Sequence, residues 1–114
     1  GACGACTVLV EERAVKSCVT PALSVKGKRV VTIEGLAKEG RLHPVQEAFL
    51  EVEAYQCGYC TPGMILAAAA LLERRKQPGE AEVKQALEGH VCRCGAYPRI
   101  VQAVRLAARE AARD

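Results

Sequence analysis

Apolar and polar positions change their period once along the chain. Up to about residue 36 the apolar residues come in short β-branched runs, "TVLV" at 7–10 and "RVVTI" at 29–33, which read as strands. Residues 14–18, "AVKSC", are a candidate third strand, and Lys26-Gly27-Lys28 reads as a turn. Three such strands in 36 residues bury too little surface to hold a core by themselves. They are expected to be the end of a unit that begins upstream, with a boundary in "AKEGR", residues 37–41.

Beyond that boundary the period turns helical. In "HPVQEAFLEVEA" (43–54), Pro44 suits a first helical turn, and Val45, Ala48, Phe49 and Val52 share one face. "TPGMILAAAALLERRKQPG" (61–79) offers Thr61 as N-cap, Pro62 next and a stop at Pro78-Gly79. Its apolar residues surround the axis, so it is expected to be the buried centre, with Met64 in the core. "EAEVKQALEG" (80–89) turns Val83, Ala86 and Leu87 inward and stops at Gly89. "PRIVQAVRLAAREAA" (98–112) presents Ile100, Val101, Val104 and Ala108 on one side. Four helices with short links predict a small bundle, so the fold class is α+β.

Composition changes little in this picture. Half of the 114 residues are hydrophobic, and with three Tyr, one Phe and no Trp the core volume must come from Ala, Val and Leu. The formal charge of +3 arises from 16 basic residues scattered among 13 acidic ones, without a Lys/Arg block, which argues against nucleic acid as a partner. The run "MILAAAALL" is nine residues, too short to cross a bilayer. A cytoplasmic location is expected, export together with a partner being the alternative. No Ser/His/acid grouping, carboxylate pair or Gly-rich phosphate loop stands at a catalytic spacing.

Cysteine does change the picture. Seven in 114 residues is an odd count, and they stand in sets: Cys3 and Cys6, Cys18, Cys57 and Cys60, Cys92 and Cys94. A C-x-C pair closes on itself only with strain, so metal ligation is the better reading than a disulfide framework. Cys57 and Cys60 precede the second helix, Cys92 and Cys94 the fourth. Helix N-termini favour negative charge, which suits an anionic iron–sulfur cluster on four thiolates. Gly58, Gly63 and Gly95 are expected to let backbone approach the sulfurs, and Arg93 to offset charge. Four cysteines suit structural zinc as well, and ligand counting does not separate the two.

"QCGYCTPGM" at 56–64, with 31 residues between Cys60 and a "CRC" at 92–94 and Tyr97 beyond, resembles the iron–sulfur subunit of the xanthine oxidase/aldehyde oxidoreductase group of molybdenum hydroxylases. The resemblance spans nearly the whole chain. It implies the C-terminal part of a β-grasp, plant-type ferredoxin-like domain over residues 1–36, joined to a four-helix 2Fe-2S domain over 41–114. Two 2Fe-2S clusters are implied. Cys57, Cys60, Cys92 and Cys94 would hold the inner one. Gln56 and Cys94 would lie against the molybdopterin of a large partner subunit. For the outer cluster the family spacing is C-x4-C-x2-C with a fourth cysteine further on; "CGACTV" and "KSC" supply Cys3, Cys6 and Cys18, and the first ligand would lie ahead of Gly1. The chain is thus expected to enter midway through that motif. Without the fourth ligand the three are free thiols.

The implied function is electron transfer within an oxidoreductase, from the molybdenum site through the clusters to an FAD subunit or a cytochrome c. "CRCGAYPRI", with His90 where Asn is common, is closest in pattern to the isoquinoline oxidoreductase branch. The alternative from another class is a zinc-stabilised helical interaction module without a redox role. His43 is expected to be solvent-exposed, His90 to make a hydrogen bond near the site without ligating, and Tyr59 and Tyr97 to shield a cluster or to pack.

Overall fold

The computed structural model describes residues 1–113. Strands β1 (Thr7–Val10) and β2 (Arg13–Lys16) form a hairpin in which Val10 faces Arg13, so the turn is only Glu11-Glu12. Both glutamates have positive φ, 48° and 69°, the backbone that a tight hairpin turn demands. On its other edge β1 pairs antiparallel with β3 (Val30–Val31), giving the order β2-β1-β3. Only two residues of "RVVTI" join the sheet, because Ile33 already enters a short 3-10 turn. Two further 3-10 turns, Ser17–Val19 and Ala22–Val25, fill the connection between β2 and β3.

Helix α1 (Pro44–Glu51) starts on a reciprocal cap: the Val45 N–H donates to His43 Nδ1 at 3.1 Å, and the His43 N–H donates to Gln46 Oε1 at 2.9 Å. His43 is therefore half-buried, not solvent-exposed as expected. Helix α2 (Thr61–Arg74) has Cys60 as N-cap in place of Thr61, and it ends at Arg74, ahead of the expected stop. Arg75 turns extended there and pairs with Glu82 at 2.8 Å. Helices α3 (Glu80–Ala86) and α4 (Tyr97–Arg113) complete the set.

Burial follows the sequence periodicity. Val45, Ala48 and Phe49 of α1, Val83 of α3, and Ile100, Val101, Val104 and Ala108 of α4 all face inward. Helix α2 is buried on nearly every side, from Gly63 through Ala69, and Met64 is fully enclosed. Leu9 of β1 and Leu36 join the same core, so the sheet and the helices share one interior. Among the described residues no helix is long and apolar enough to cross a membrane.

Candidate metal centre

The loop Tyr55–Cys60 and the loop Gly89–Ala96 meet where α2 and α4 begin. Cys60 and Cys92 are buried there, and Cys57 and Cys94 are exposed. The Cys60 and Cys92 thiols are close enough to act on each other's ionisation, and Cys57 is near enough for its charge to act on Cys60. Burial, with the thiol of Cys92 and the charges of Cys92 and Cys57, pushes Cys60 up to about 11. Burial raises Cys92 too, but the Ala96 N–H, the Cys60 thiol and the N–H groups of Cys94 and Gly95 outweigh it and hold Cys92 below its usual range.

Backbone donors already point at sulfur. The Ala96 N–H reaches Cys92 Sγ at 3.4 Å, and the Tyr59 N–H reaches Cys57 Sγ at 3.5 Å. Gly58 and Gly95 have φ of 82° and 72°, which glycine adopts without steric cost, and a Cβ at either would meet only open space, so the backbone turn and not close packing calls for glycine there. Gly63 does something else: a Cβ there would collide with the carbonyl oxygen of Gly4, not with a cysteine. The Tyr97 hydroxyl oxygen accepts the Cys92 N–H at 2.6 Å, so Tyr97 fastens the ligand loop, whereas Tyr59 is 77% exposed.

This environment fits a thiolate-bound metal. The buried Cys60 thiol resists ionisation on its own, and a bound cation reverses that by deprotonating it outright. The N–H groups aimed at sulfur then support the negative charge. The Thr61 hydroxyl, beside Cys60, is buried with no partner in the protein, a donor left over for an acceptor that the chain does not supply. Among the described residues no three ligand-type side chains are gathered tightly enough to hold an ion, so the thiols stand as neighbours without closing a cage.

The other cysteines form a second group. The Cys18 N–H donates to Cys6 Sγ at 3.4 Å. That bond and the adjacent Cys18 side chain lower Cys6 to about 7. Cys3 is exposed on the same loop, and its carbonyl oxygen accepts the Val91 N–H at 2.9 Å. His90, next in the chain, places Nε2 at 2.9 Å from Thr7 Oγ1. Gln56 is exposed beside Cys57, and Arg93 is exposed between Cys92 and Cys94. Thr7, Gly4 and Gly63 make contacts between the two cysteine groups that no sequence pattern signals; Thr7 reads there as an ordinary first strand residue.

Residues 32–105 match the family of 2Fe-2S binding domains. The chain belongs to that family. A nicotinate dehydrogenase subunit from Pseudomonas putida is 45% identical over 108 residues, 95% of this chain and 69% of its own length. The alpha chain of isoquinoline 1-oxidoreductase from Brevundimonas diminuta is 46% identical over 112 residues, 98% of this chain and 73% of its own. The aldehyde oxidoreductase of Desulfovibrio gigas superposes with a TM-score of 0.93 at 36% identity, over 98% of this chain and 13% of that one. These relatives bear out the resemblance to the iron–sulfur subunits of the xanthine oxidase/aldehyde oxidoreductase group. The zinc-stabilised module has no such support.

Proposed function

We propose that this chain is the electron-transfer subunit of a molybdenum hydroxylase complex, with Cys57, Cys60, Cys92 and Cys94 holding an inner 2Fe-2S cluster. The observation that carries the reading is the meeting of Cys57, Cys60 and Cys92 at the starts of α2 and α4, with N–H groups aimed at their sulfurs. A cluster there supplies one-electron storage. The chain's own part is to bury Cys60 and Cys92, to exclude water with α2 and α4 behind them, and to set the potential by hydrogen bonds to sulfur.

Cys3, Cys6 and Cys18 are proposed to contribute three ligands to an outer 2Fe-2S cluster. The four-helix part over 41–114 would carry the inner centre, and residues 1–36 would belong to the ferredoxin-like unit. Exposed Gln56 and Cys94 would face the molybdopterin of the large partner. Leu42, Leu50, Tyr55 and Tyr59 are exposed around the same loop, and Ile33, Leu42, Phe49, Leu50, Tyr55 and Ile65 line an apolar groove beside Gly58. An apolar surface of this kind next to the ligand loop suits a permanent protein partner. The names of the nicotinate and isoquinoline relatives, together with "CRCGAYPRI" in this chain, favour an N-heteroaromatic ring as the substrate of the complex. An FAD subunit or a cytochrome c would be the acceptor, as the family resemblance implies.

The test is to purify the chain together with its large partner, then supply an N-heteroaromatic substrate without acceptor. Visible absorption of the iron–sulfur type should bleach and return when oxidant is supplied. Turnover of the substrate with those bands unchanged contradicts the reading.

A further inference from the structure

Two adjacent residues ahead of Cys92 reach across to the Cys3–Cys6 loop. The Val91 N–H donates to the Cys3 carbonyl at 2.9 Å. The Thr7 hydroxyl oxygen lies 2.8 Å from the Gly4 carbonyl oxygen and 2.9 Å from His90 Nε2, and the other ring nitrogen, Nδ1, lies 3.3 Å from the Glu88 carbonyl oxygen. Thr7 is the one buried polar residue among the described residues, 4% exposed. Gly4 has φ of 77°, and a Cβ there would sit 2.7 Å from His90 Cδ2 and 2.9 Å from the Gly89 carbonyl oxygen, so the ring packs directly against its backbone. Below it the Gly4 carbonyl rests on Gly63 at the start of α2. His90 thus lies among Gly4, Thr7 and Val91, tied to both cysteine groups.

We propose that His90 is a positioning residue for electron passage: through Thr7 and Gly4 it holds the Cys3–Cys6 loop against the segment entering Cys92. The inference rests on the two thiol groups being the ligands of two clusters. Passage of one electron between the inner and outer centres makes and breaks no bond and needs no proton; one centre is oxidised as the other is reduced. Its rate falls exponentially with the gap to be crossed, and it falls less through bonded atoms than through space. The link Cys3 C=O···H–N Val91 joins the backbone of one ligand to the neighbour of another through a single hydrogen bond. By way of Gly4 and Gly63 the connection to Cys60 runs across a van der Waals contact and two further residues of α2. His90 does not take part in the short link; it keeps the two partners of that link in register.

The test uses the full chain in its assembled complex and follows electron passage between the centres after a reducing pulse, with their magnetic coupling read by EPR. His90→Ala should slow the passage by about tenfold, the low end of what outer-shell partners of metal ligands are worth, and weaken the coupling. The inner centre's iron content, spectrum and potential should stay as in the wild type. His90→Gln, whose amide nitrogen reaches about as far as Nε2, should restore most of the rate. Hydrogen exchange should rise together at residues 3–7 and 90–92 in His90→Ala. Unchanged rate and coupling in a loaded His90→Ala protein overturn the inference. Where that variant does not assemble, Thr7→Val, which removes only the hydroxyl, decides by the same outcomes. A wild-type protein without iron sinks the reading of the site as a whole; a loaded protein indifferent to His90 sinks this inference alone.

Discussion

Cys60 and Cys92 lie side by side, yet their acidities move in opposite directions. Burial above all pushes Cys60 up to about 11, while the Ala96 N–H and the other donors around Cys92 outweigh burial and hold it below its usual range. Cys6 lies lower, at about 7, because the Cys18 N–H supports its thiolate. Thiolate is the reactive form, so in metal-stripped, reduced protein iodoacetamide should modify Cys6 readily near neutral pH and leave Cys60 untouched until strongly alkaline pH. Peptide mapping against pH checks the order; Cys60 reacting first at neutral pH contradicts it. Cluster assembly should then protect both. His43 titrates in the opposite sense from a paired histidine. Burial lowers it from 6.5, with Lys38 reinforcing and Glu73 opposing, and its Nδ1 must stay unprotonated to accept the Val45 N–H. The unfolded chain therefore takes up the proton first. Stability from this group is complete above the ordinary histidine range and declines as pH falls through about 6.5 towards the lowered value. His43→Asn keeps an acceptor and removes the titration. Thermal melts between about pH 7.5 and about pH 5 should show a smaller loss for the variant than for the wild type.

Helix α1 shows what a single element owes to its ends. Its C-terminus closes with Glu53 at φ 52° and the Ala54 N–H on the Phe49 carbonyl at 2.9 Å, a left-handed stop that normally carries glycine. Glu53→Gly should raise stability by about 1 kcal/mol, since a side chain in that conformation costs that order of energy. The melting temperature should rise by about 4 °C for a chain of this size. A fall would mean that the Glu53 side chain makes a contact worth more than the strain. The elements themselves were legible because amphipathic spacing fixes a helix: every inward residue expected of α4 is buried. Ends and irregular turns were not. Arg75 leaves α2 for a tertiary pair with Glu82, and nothing local in "ERRKQPG" signals that choice. The 3-10 turns at 17–19 and 22–25 have no hydrophobic period to show them. β3 is short because the chain turns into a 3-10 segment at Ile33 straight after it.

At the scale of the molecule, the sheet and the helices are locked by two glycines far apart in the chain. Gly63 stands in a helix, where alanine would ordinarily add about 1 kcal/mol. Here the Gly4 carbonyl occupies the place of its Cβ. Gly63→Ala should therefore destabilise, by about 2 kcal/mol, as overpacking of a closed contact does. A denaturation midpoint equal to or above the wild type's contradicts the contact. The candidate site was readable where chemistry is periodic with the chain, in C-x-x-C and C-x-C ahead of helices. It was hidden where distant backbone meets: local pattern alone points Gly63 at a sulfur and His43 into solvent, and it places Thr7 correctly in a strand without showing its contact with His90. Convergence of the ligand loops is the claim on which the rest depends, and iron and acid-labile sulfide per chain test it most directly. Protein purified without air should hold at least two irons and two sulfides, in line with one 2Fe-2S cluster on four cysteines. Cys92→Ser should lose two of each while Cys3→Ser keeps the inner pair. One zinc per chain with no sulfide, or a full inner complement in Cys92→Ser, would contradict it.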